Sequence, residues 1–264
     1  MSVIRCLLLL GKALFVQLSM LKRHVVFLLV PFLLLFTTDV VADSYPLSCA
    51  DDYQAANTVF QRIENEWPLR SSKDEITRYV QKLGVHLAQL KGYGNAFAWH
   101  FSVVRNLAPN AFSIGGGYIF VTEGAINFAE TESELVAILG HEIGHELAGH
   151  FCIVQPPNVF STLLDDVFMP KPEQYQVGVG SLTQVIDVGK EQQADRIALS
   201  IIKAGGYDPT AMLNLARRLP LNGTTHLIDA SRIQVLEKAI VNLPVQATQS
   251  SNEFLAIKRV LVSQ

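Results

Sequence analysis

The sequence predicts an α+β protein that is mostly helical and contains a small mixed β-sheet. Over most of the chain after residue 50, apolar residues recur with the period of amphipathic helices. Two short segments, 97–106 and 118–122, are instead rich in β-branched and aromatic residues, which is typical of strands. The sequence contains no internal repeat, so a repeat architecture is not expected.

Each element has its own local signal. Capping and stop residues mark two of the helices: one begins at Thr131, three residues before Glu134, and another ends at Gly205 and Gly206. The expected elements, in chain order, are helices at 51–67 and 73–90, strands at 97–106 and 118–122, a helix after Thr131, and helices at 182–203, 208–219 and 230–241. The tail after Pro244 shows no clear pattern.

The first 42 residues have the composition of an export signal. Two apolar runs, 7–18 and 25–36, lie on either side of Lys22-Arg23-His24. Each run is shorter than the roughly 20 residues that a membrane-spanning helix needs. The second run has basic residues before it and Val40-Val41-Ala42 after it, as a cleavable signal peptide does. Translation from Met20 would give a conventional signal by itself, and an uncleaved membrane anchor is the alternative.

Cleavage after Ala42 would leave residues 43–264 as a single domain with a full core. The formal charge would change from −3 to about −6, because the leader contains four of the basic residues and one of the acidic residues. An acidic domain without a basic cluster argues against nucleic acid as a partner. In an oxidising periplasm Cys49 and Cys152 would be able to form a disulfide, and lipid attachment at Cys49 is a further alternative.

The residues with the clearest chemistry are His141, Glu142 and His145, which lie in a strongly helical segment. Residues four apart on an α-helix are about 40° apart around its axis, so the two imidazoles face one point. Glu142 is turned about 100° away from His141. This is the geometry of a zinc ligand pair with a general base beside it.

The same helix has an apolar face and a stripe of small residues. Large apolar residues lie opposite the two histidines: Leu135, Val136, Leu139, Ile143 and Leu147. Residues without bulk form the stripe: Ala137, Gly140, Gly144 and Ala148. Each glycine inside a helix costs about 1 kcal/mol relative to alanine, so we expect another backbone to pack closely here.

A third metal ligand must come from elsewhere, because a catalytic zinc usually has three protein ligands and one position for water. Glu191 is our candidate, and Asp195 lies one turn further along the same helix face, beside Ala194 and Ala198. Glu191 would bind zinc, and Asp195 would accept the outer N–H of a ligand histidine. The alternative for both carboxylates is a solvent-exposed acidic face.

His150 does not fit the known arrangement with a third histidine ligand. That arrangement needs glycine three residues and histidine six residues after the second ligand, and these positions are Ala148 and Phe151. His150 also projects opposite to His141 on a helical wheel. We therefore expect it at the helix end, away from the metal.

Four motifs now occur in the order found in one family: Asn110-Ala111-Phe112, 116–122, 141–145 and 191–195. On these motifs, residues 51–236 resemble the CAAX-prenyl-protease type of gluzincin metallopeptidase, which includes HtpX-like membrane proteases and BepA-like periplasmic proteases. The resemblance implies a zincin-like metalloprotease domain with its small sheet beside the active-site helix. It also implies one zinc per chain with His141, His145 and Glu191 as ligands, Glu142 as catalytic base and Asp195 as a supporting carboxylate.

The family also has a later histidine followed six residues on by arginine, which His226 and Arg232 match. In relatives this histidine either stabilises the oxyanion or occupies the open metal position in a latent state, and both roles remain open here. Two positions depart from the family pattern. Leu227 replaces the usual proline, and Gln193 replaces the second glutamate of the later motif.

The resemblance makes Tyr118, Ile119, Phe120 and Val121 the edge of the sheet beside the cleft. An extended substrate would add there as a further strand through backbone hydrogen bonds. Segment 155–180 lies between the two ligand helices and has prolines around a short amphipathic piece, so it is a candidate lid. A permanently docked helix is the alternative for that segment.

Together these features predict an exported, periplasmic zinc endopeptidase that hydrolyses unfolded or misassembled proteins of the cell envelope. Peripheral association with the outer membrane or its assembly machinery is a further expectation. Zinc would activate a water molecule and polarise the scissile carbonyl, while Glu142 would transfer the proton. The alternative is a chaperone-like or latent zinc protein in which His226 caps the metal. Glu142 favours the enzyme, because a metal scaffold needs no base at that position.

Overall fold

Helices surround a small sheet in the computed structural model, which describes residues 52–150, 188–219, 226, 228–244 and 249–263. These residues belong to one compact unit of the chain. The predicted leader at 1–42, the candidate lid at 155–180 and the pair Cys49 and Cys152 lie outside the described residues.

The described elements confirm the α+β class. The N-terminal half of this part contains α1 (Asp52–Glu66), α2 (Glu75–Leu90), a short 3-10 turn (Tyr93–Asn95), β1 (His100–Val104), β2 (Ala111–Ser113), β3 (Tyr118–Thr122) and α3 (Glu123–Phe128). The remainder contains α4 (Glu132–Leu147), α5 (Val188–Ala204), α6 (Thr210–Arg218), α7 (Ala230–Ile240) and α8 (Asn252–Val262). Among these, the 3-10 turn, β2, α3 and α8 had no element predicted in their place.

The sheet has the strand order β1-β3-β2. Strand β1 pairs with β3 in parallel, with His100 opposite Tyr118, and β2 pairs with β3 antiparallel, with Phe112 opposite Phe120. The sheet is therefore mixed, as the sequence predicts. Because β1 and β2 share one neighbour, both edges of β3 are occupied.

The prediction that Tyr118, Ile119, Phe120 and Val121 form the sheet edge is wrong. They lie in the central strand, and every residue of β3 is buried. A strand covered on both faces is apolar throughout, and such a run carries no signal that distinguishes an edge from a centre. The edge beside helix α4 is β2.

Helix α4 begins as the sequence predicts. The Thr131 side chain accepts a hydrogen bond from Glu134 N at 3.2 Å. The Glu134 carboxylate reaches back to Glu130 N at 2.7 Å, one residue before the expected partner. After α4, Gly149 has a φ of 67°, a left-handed conformation that ends the helix.

Helices α4 and α5 pack closely along the stripe of small residues. A Cβ atom placed on Gly144 would lie 2.6 Å from Ala194 O, and one on Gly140 would lie 3.6 Å from Ala198 Cα. The predicted apolar face of α4 is fully buried in the main core. Close packing therefore brings the backbones of the two predicted ligand helices together.

Helix α8 docks against the start of α4. Glu132 accepts hydrogen bonds from Tyr79 Oη at 2.7 Å, Ser251 N at 2.6 Å and Ser251 Oγ at 2.9 Å. Lys258 of α8 donates to carbonyl groups at the end of α3, including Ala129 O at 2.9 Å.

Within the described residues, no helix is long and apolar enough to cross a membrane.

Candidate metal centre

Four side chains converge at one point between α4 and α5: His141, His145, Glu191 and His226. Each offers one ligand atom, and these four atoms all lie within 4.8 Å of one another. His141 Nε2 lies 2.9 Å from His145 Nε2, and His145 Nε2 lies 3.2 Å from Glu191 Oε1. His226 Nδ1 lies 3.2 Å from both His141 Nε2 and Glu191 Oε1.

The fold accounts for this convergence. Helix α4 presents His141 and His145 one turn apart, and α5 places Glu191 opposite them because Gly144 permits close contact with Ala194. His226 reaches the cluster from the segment before α7. Glu191 has no solvent exposure, so its carboxylate depends on protein partners or on a bound cation.

The donor set fits a divalent metal. Two imidazole nitrogens 2.9 Å apart repel each other through their lone pairs unless a proton or a cation lies between them. Ligands of a tetrahedral zinc with bonds of about 2.0–2.1 Å are ~3.4 Å apart, which is close to the spacings in this cluster. Imidazole and carboxylate donors are also the set that zinc commonly takes.

The outer nitrogen of His141 faces a charged pair. His141 Nδ1 lies 2.9 Å from Asp195 Oδ1, and Arg232 donates to both Asp195 oxygens at 2.8 Å. Burial raises the pKa of Asp195, but hydrogen bonds from His141 and Arg232 outweigh it and bring the value to about 2. An ionised Asp195 favours the proton on His141 Nδ1, which leaves Nε2 free to bind a metal. Arg232 also donates to Glu191 Oε2 at 2.5 Å.

The outer nitrogen of His145 faces His150, which the sequence interpretation placed away from the metal. His150 Nδ1 lies 2.9 Å from His145 Nδ1, and its Nε2 lies 3.3 Å from Gln193 Oε1. The helical wheel fails here because α4 ends at Leu147 and the left-handed Gly149 turns the chain back. A glycine directly before a histidine at a helix end was the available signal.

This arrangement also fixes the proton positions. If His145 Nε2 is to bind a metal, its proton is on Nδ1 and is donated to His150 Nδ1. His150 then carries its proton on Nε2 and donates it to Gln193. Burial and the neighbouring His141 lower the pKa of His145 to about 4, so its imidazole is neutral near pH 7, as a metal ligand must be.

Glu142 lies beside the cluster rather than in it. His226 Nε2 lies 3.2 Å from Glu142 Oε1 and 3.3 Å from Ala111 O, while its Nδ1 faces the other three donors. Burial lowers the pKa of His226, but Glu142 and Glu191 raise it well above the ordinary value for histidine. His226 therefore connects the metal-binding donors, the predicted base and the edge strand.

Comparison with protein families matches residues 74–170 to the model of peptidase family M48. The matched segment includes His141, Glu142 and His145. Residues 74–170, which are less than half of the chain, are therefore similar to peptidase family M48. That family consists of metallopeptidases, which agrees with the convergent donors of the cluster.

Curated relatives of this chain are named as proteases. A beta-barrel assembly-enhancing protease from Yersinia pestis is 28% identical over 213 residues, which are 69% of this chain and 43% of the relative. The protein of the same name from Escherichia coli K12 is 24% identical over 80% of this chain and 48% of its own length. The mitochondrial metalloendopeptidase OMA1 from Schizosaccharomyces pombe is 28% identical over 62% of this chain and 50% of its own length. This chain thus spans about half the length of these relatives.

A largely apolar cavity of about 110 Å³ adjoins the predicted base, Glu142. Besides His141, Glu142 and His226, it is lined by apolar side chains that include Ala125, Phe128, Ile138, Met212, Leu215 and Leu236. A cavity of about 150 Å³ is large enough to bind benzene. The space is thus of the order that one aliphatic or small aromatic side chain requires.

The edge of β2 that faces away from β3 runs beside the same cavity, which Ala111 also lines. Thr122 N donates to Asn110 O at 2.9 Å, and hydrogen-bonded pairs alternate along an antiparallel ladder. By this alternation, the N–H and C=O groups of Ala111 and Ser113 point away from β3. His226 approaches one of these groups, Ala111 O. Strand β2 therefore offers the backbone groups that the sequence interpretation had assigned to β3.

Proposed function

We propose that this chain is a zinc metalloendopeptidase that cleaves unfolded or misassembled proteins of the cell envelope. The observation that carries the proposal is the convergence of His141, His145 and Glu191, with Glu142 directly beside them. These three side chains would hold the zinc ion. A bound zinc ion would supply Lewis acidity, which activates water and polarises a carbonyl group.

The residues of the chain would then divide the work of proton transfer and positioning. Glu142 would take the proton of the attacking water and pass it to the leaving amine. Asp195 would hold His141 through its Nδ1, and Arg232 would hold Asp195 and Glu191 in place. The β2 edge would align the substrate backbone next to Glu142.

The site supports extended and loosely selected substrates. Backbone hydrogen bonds to Ala111 and Ser113 would not distinguish one sequence from another. The apolar cavity beside Glu142 favours an apolar side chain next to the cleaved bond, and unfolded proteins expose such side chains. This combination is appropriate for protein quality control.

Export to the periplasm is part of the proposal and rests on the composition of residues 1–42. The name of the Yersinia pestis and Escherichia coli relatives, beta-barrel assembly-enhancing protease, supports a substrate among envelope proteins and a peripheral association with the outer membrane or its assembly machinery. Retention by an uncleaved N-terminus is the alternative.

A specific observation favours a second candidate, a latent or chaperone-like zinc protein. His226 Nδ1 lies among the three predicted ligands, at the place where a fourth ligand would be. Bound there, His226 would fill the position that the reaction needs for water and the substrate carbonyl. As an oxyanion stabiliser, the same side chain would have to turn away from the cluster.

The test is to measure zinc content and casein cleavage for the exported chain, 43–264, together with Glu142→Gln and His226→Ala. We expect one zinc per chain in all three. Glu142→Gln removes only the base and keeps the side-chain volume, so cleavage should fall by about 10²–10⁴-fold. A zinc-loaded wild type that cleaves as slowly as Glu142→Gln would contradict an active peptidase.

His226→Ala separates the two candidates. Faster cleavage than in the wild type would mean that His226 occupies the reactive position in a latent enzyme. Slower cleavage with full zinc content would mean that it stabilises the oxyanion. No cleavage in the wild type or in His226→Ala, despite bound zinc, would favour the chaperone-like protein.

A further inference from the structure

Glu146 is a buried carboxylate for which the proposed chemistry has no use. It follows His145 in α4 and is only 4% exposed. Its Oε1 accepts a hydrogen bond from Gly115 N at 2.9 Å, and its Oε2 accepts one from Gly117 N at 3.0 Å. Both oxygens are therefore committed to one turn of the backbone.

That turn connects β2 to β3. Gly115 and Gly117 have φ values of 89° and 85°, which residues with a side chain rarely adopt. This conformation allows both N–H groups to face the same carboxylate. A Cβ atom on Gly117 would lie 2.6 Å from Phe97 Cβ, so the turn is also confined on its other side.

The position of Glu146 on α4 links this turn to the predicted base. Glu142 and Glu146 are one helical turn apart and share the helix face next to β2. At one end of this arrangement His226 contacts both Glu142 and Ala111 O, and at the other end Glu146 holds the turn that follows Ser113. Strand β2 is thereby linked to α4 at both of its ends. At Ala111 the link runs through His226 to Glu142, and at the turn after Ser113 it is made by Glu146.

We propose that Glu146 is a positioning residue that sets the distance and register of the β2 edge relative to the metal-binding helix, and so favours long extended substrates over short ones. The inference rests on the proposed peptidase function. A long peptide would use the backbone groups of both Ala111 and Ser113. A short peptide bound only next to Glu142 would not depend on the turn.

The matched control is Glu132, another buried glutamate of α4. It also accepts hydrogen bonds through both oxygens, from Tyr79 and Ser251, but it lies at the opposite end of the helix. In Glu146→Gln one amide N–H₂ group would face a backbone N–H, donor against donor, and that hydrogen bond would be lost. Glu132→Gln makes the same chemical change far from β2.

The experiment uses the zinc-loaded chain and two peptides from casein: a long one that extends along β2 from an observed cleavage site, and its shortened core. For Glu146→Gln we expect KM of the long peptide to rise about tenfold. Its kcat and the KM of the short peptide should stay close to the wild-type values. Glu132→Gln should change neither KM, even if it lowers the melting temperature as much as Glu146→Gln does.

Other results would overturn the inference. An equal rise in KM for both peptides, a fall in kcat alone, or unchanged kinetics would each show that Glu146 does not position the edge strand. Loss of zinc or of folding in Glu146→Gln would make Glu146 a purely structural residue of α4. If the wild-type chain with zinc cleaves neither peptide, the proposed function itself fails and this inference fails with it.

Discussion

Each histidine that α4 directs at the cluster has a partner on its outer nitrogen. Asp195, held by Arg232, lies against His141 Nδ1, and His150, held by Gln193, lies against His145 Nδ1. Such partners fix the ring orientation and the tautomer, and their loss typically lowers metal affinity by about 10–100-fold. The two partners differ in strength, because Asp195 is charged and His150 acts as a neutral acceptor.

We expect His150→Ala to weaken zinc binding by about 10-fold, at the lower end of that range, because it removes a neutral partner. The measurement is a competition titration against a chromophoric chelator at fixed pH. His86→Ala is the control, since His86 is exposed on α2 and lies outside the cluster. Equal zinc affinity in His150→Ala and the wild type would show that His150 does not orient His145.

At the scale of elements, the contact of α4 with α5 decides whether the Glu191 carboxylate reaches His141 and His145. Gly144 leaves room for the backbone of Ala194, three residues after Glu191 in α5. Gly140, one turn earlier, has ordinary van der Waals room toward Ala198. An alanine substitution is therefore expected to have opposite effects on stability at these two positions, although both lie on the same stripe.

We expect Gly144→Ala to lower the free energy of unfolding by about 1–3 kcal/mol, because the new methyl group would overlap with Ala194. It should also weaken zinc binding, since α5 must move away with Glu191. Gly140→Ala should be neutral or should stabilise the protein by up to about 1 kcal/mol through helix propensity. Urea denaturation of the metal-free variants measures both effects. A stable Gly144→Ala would mean that α5 can shift without strain.

At the scale of the whole molecule, the cluster ties together parts of the chain that are distant in sequence. His141 and His145 come from α4, Glu191 from α5, and His226 from the segment before α7. Helix α8 closes the far side, where Glu132 of α4 binds the start of α8. A metal that binds only the folded arrangement adds its binding free energy to the stability of the fold.

We therefore expect removal of zinc by a chelator to lower the melting temperature. At a free zinc concentration of 100 times Kd, the stabilisation would be about 2.7 kcal/mol. Glu142→Gln should show the same zinc-dependent shift as the wild type, because Glu142 lies beside the donors. His141→Ala should lose most of it. A shift of equal size in His141→Ala would place the stabilising zinc elsewhere on the protein.

Several features of the fold and the site were predictable because their signals are local. The start of α4 follows from Thr131 and Glu134, and the common direction of His141 and His145 follows from helical period alone. The α+β class, which the structure confirms, was predictable for the same reason. His150 shows the limit of this reasoning, because the helical period stops applying once Gly149 reverses the chain.

The sequence alone determined most of the helices, which of their faces are apolar and that His141 and His145 face one point, because these depend on neighbours a few residues apart. Only the tertiary structure decided that β3 is the central strand, that β2 is the edge, and that His226 and Arg232 reach Glu191. Only the tertiary structure also revealed helix α8, because its docking depends on Glu132 and Tyr79. Strand order and these contacts join residues far apart in the chain, and their pairing depends on packing that no local pattern encodes.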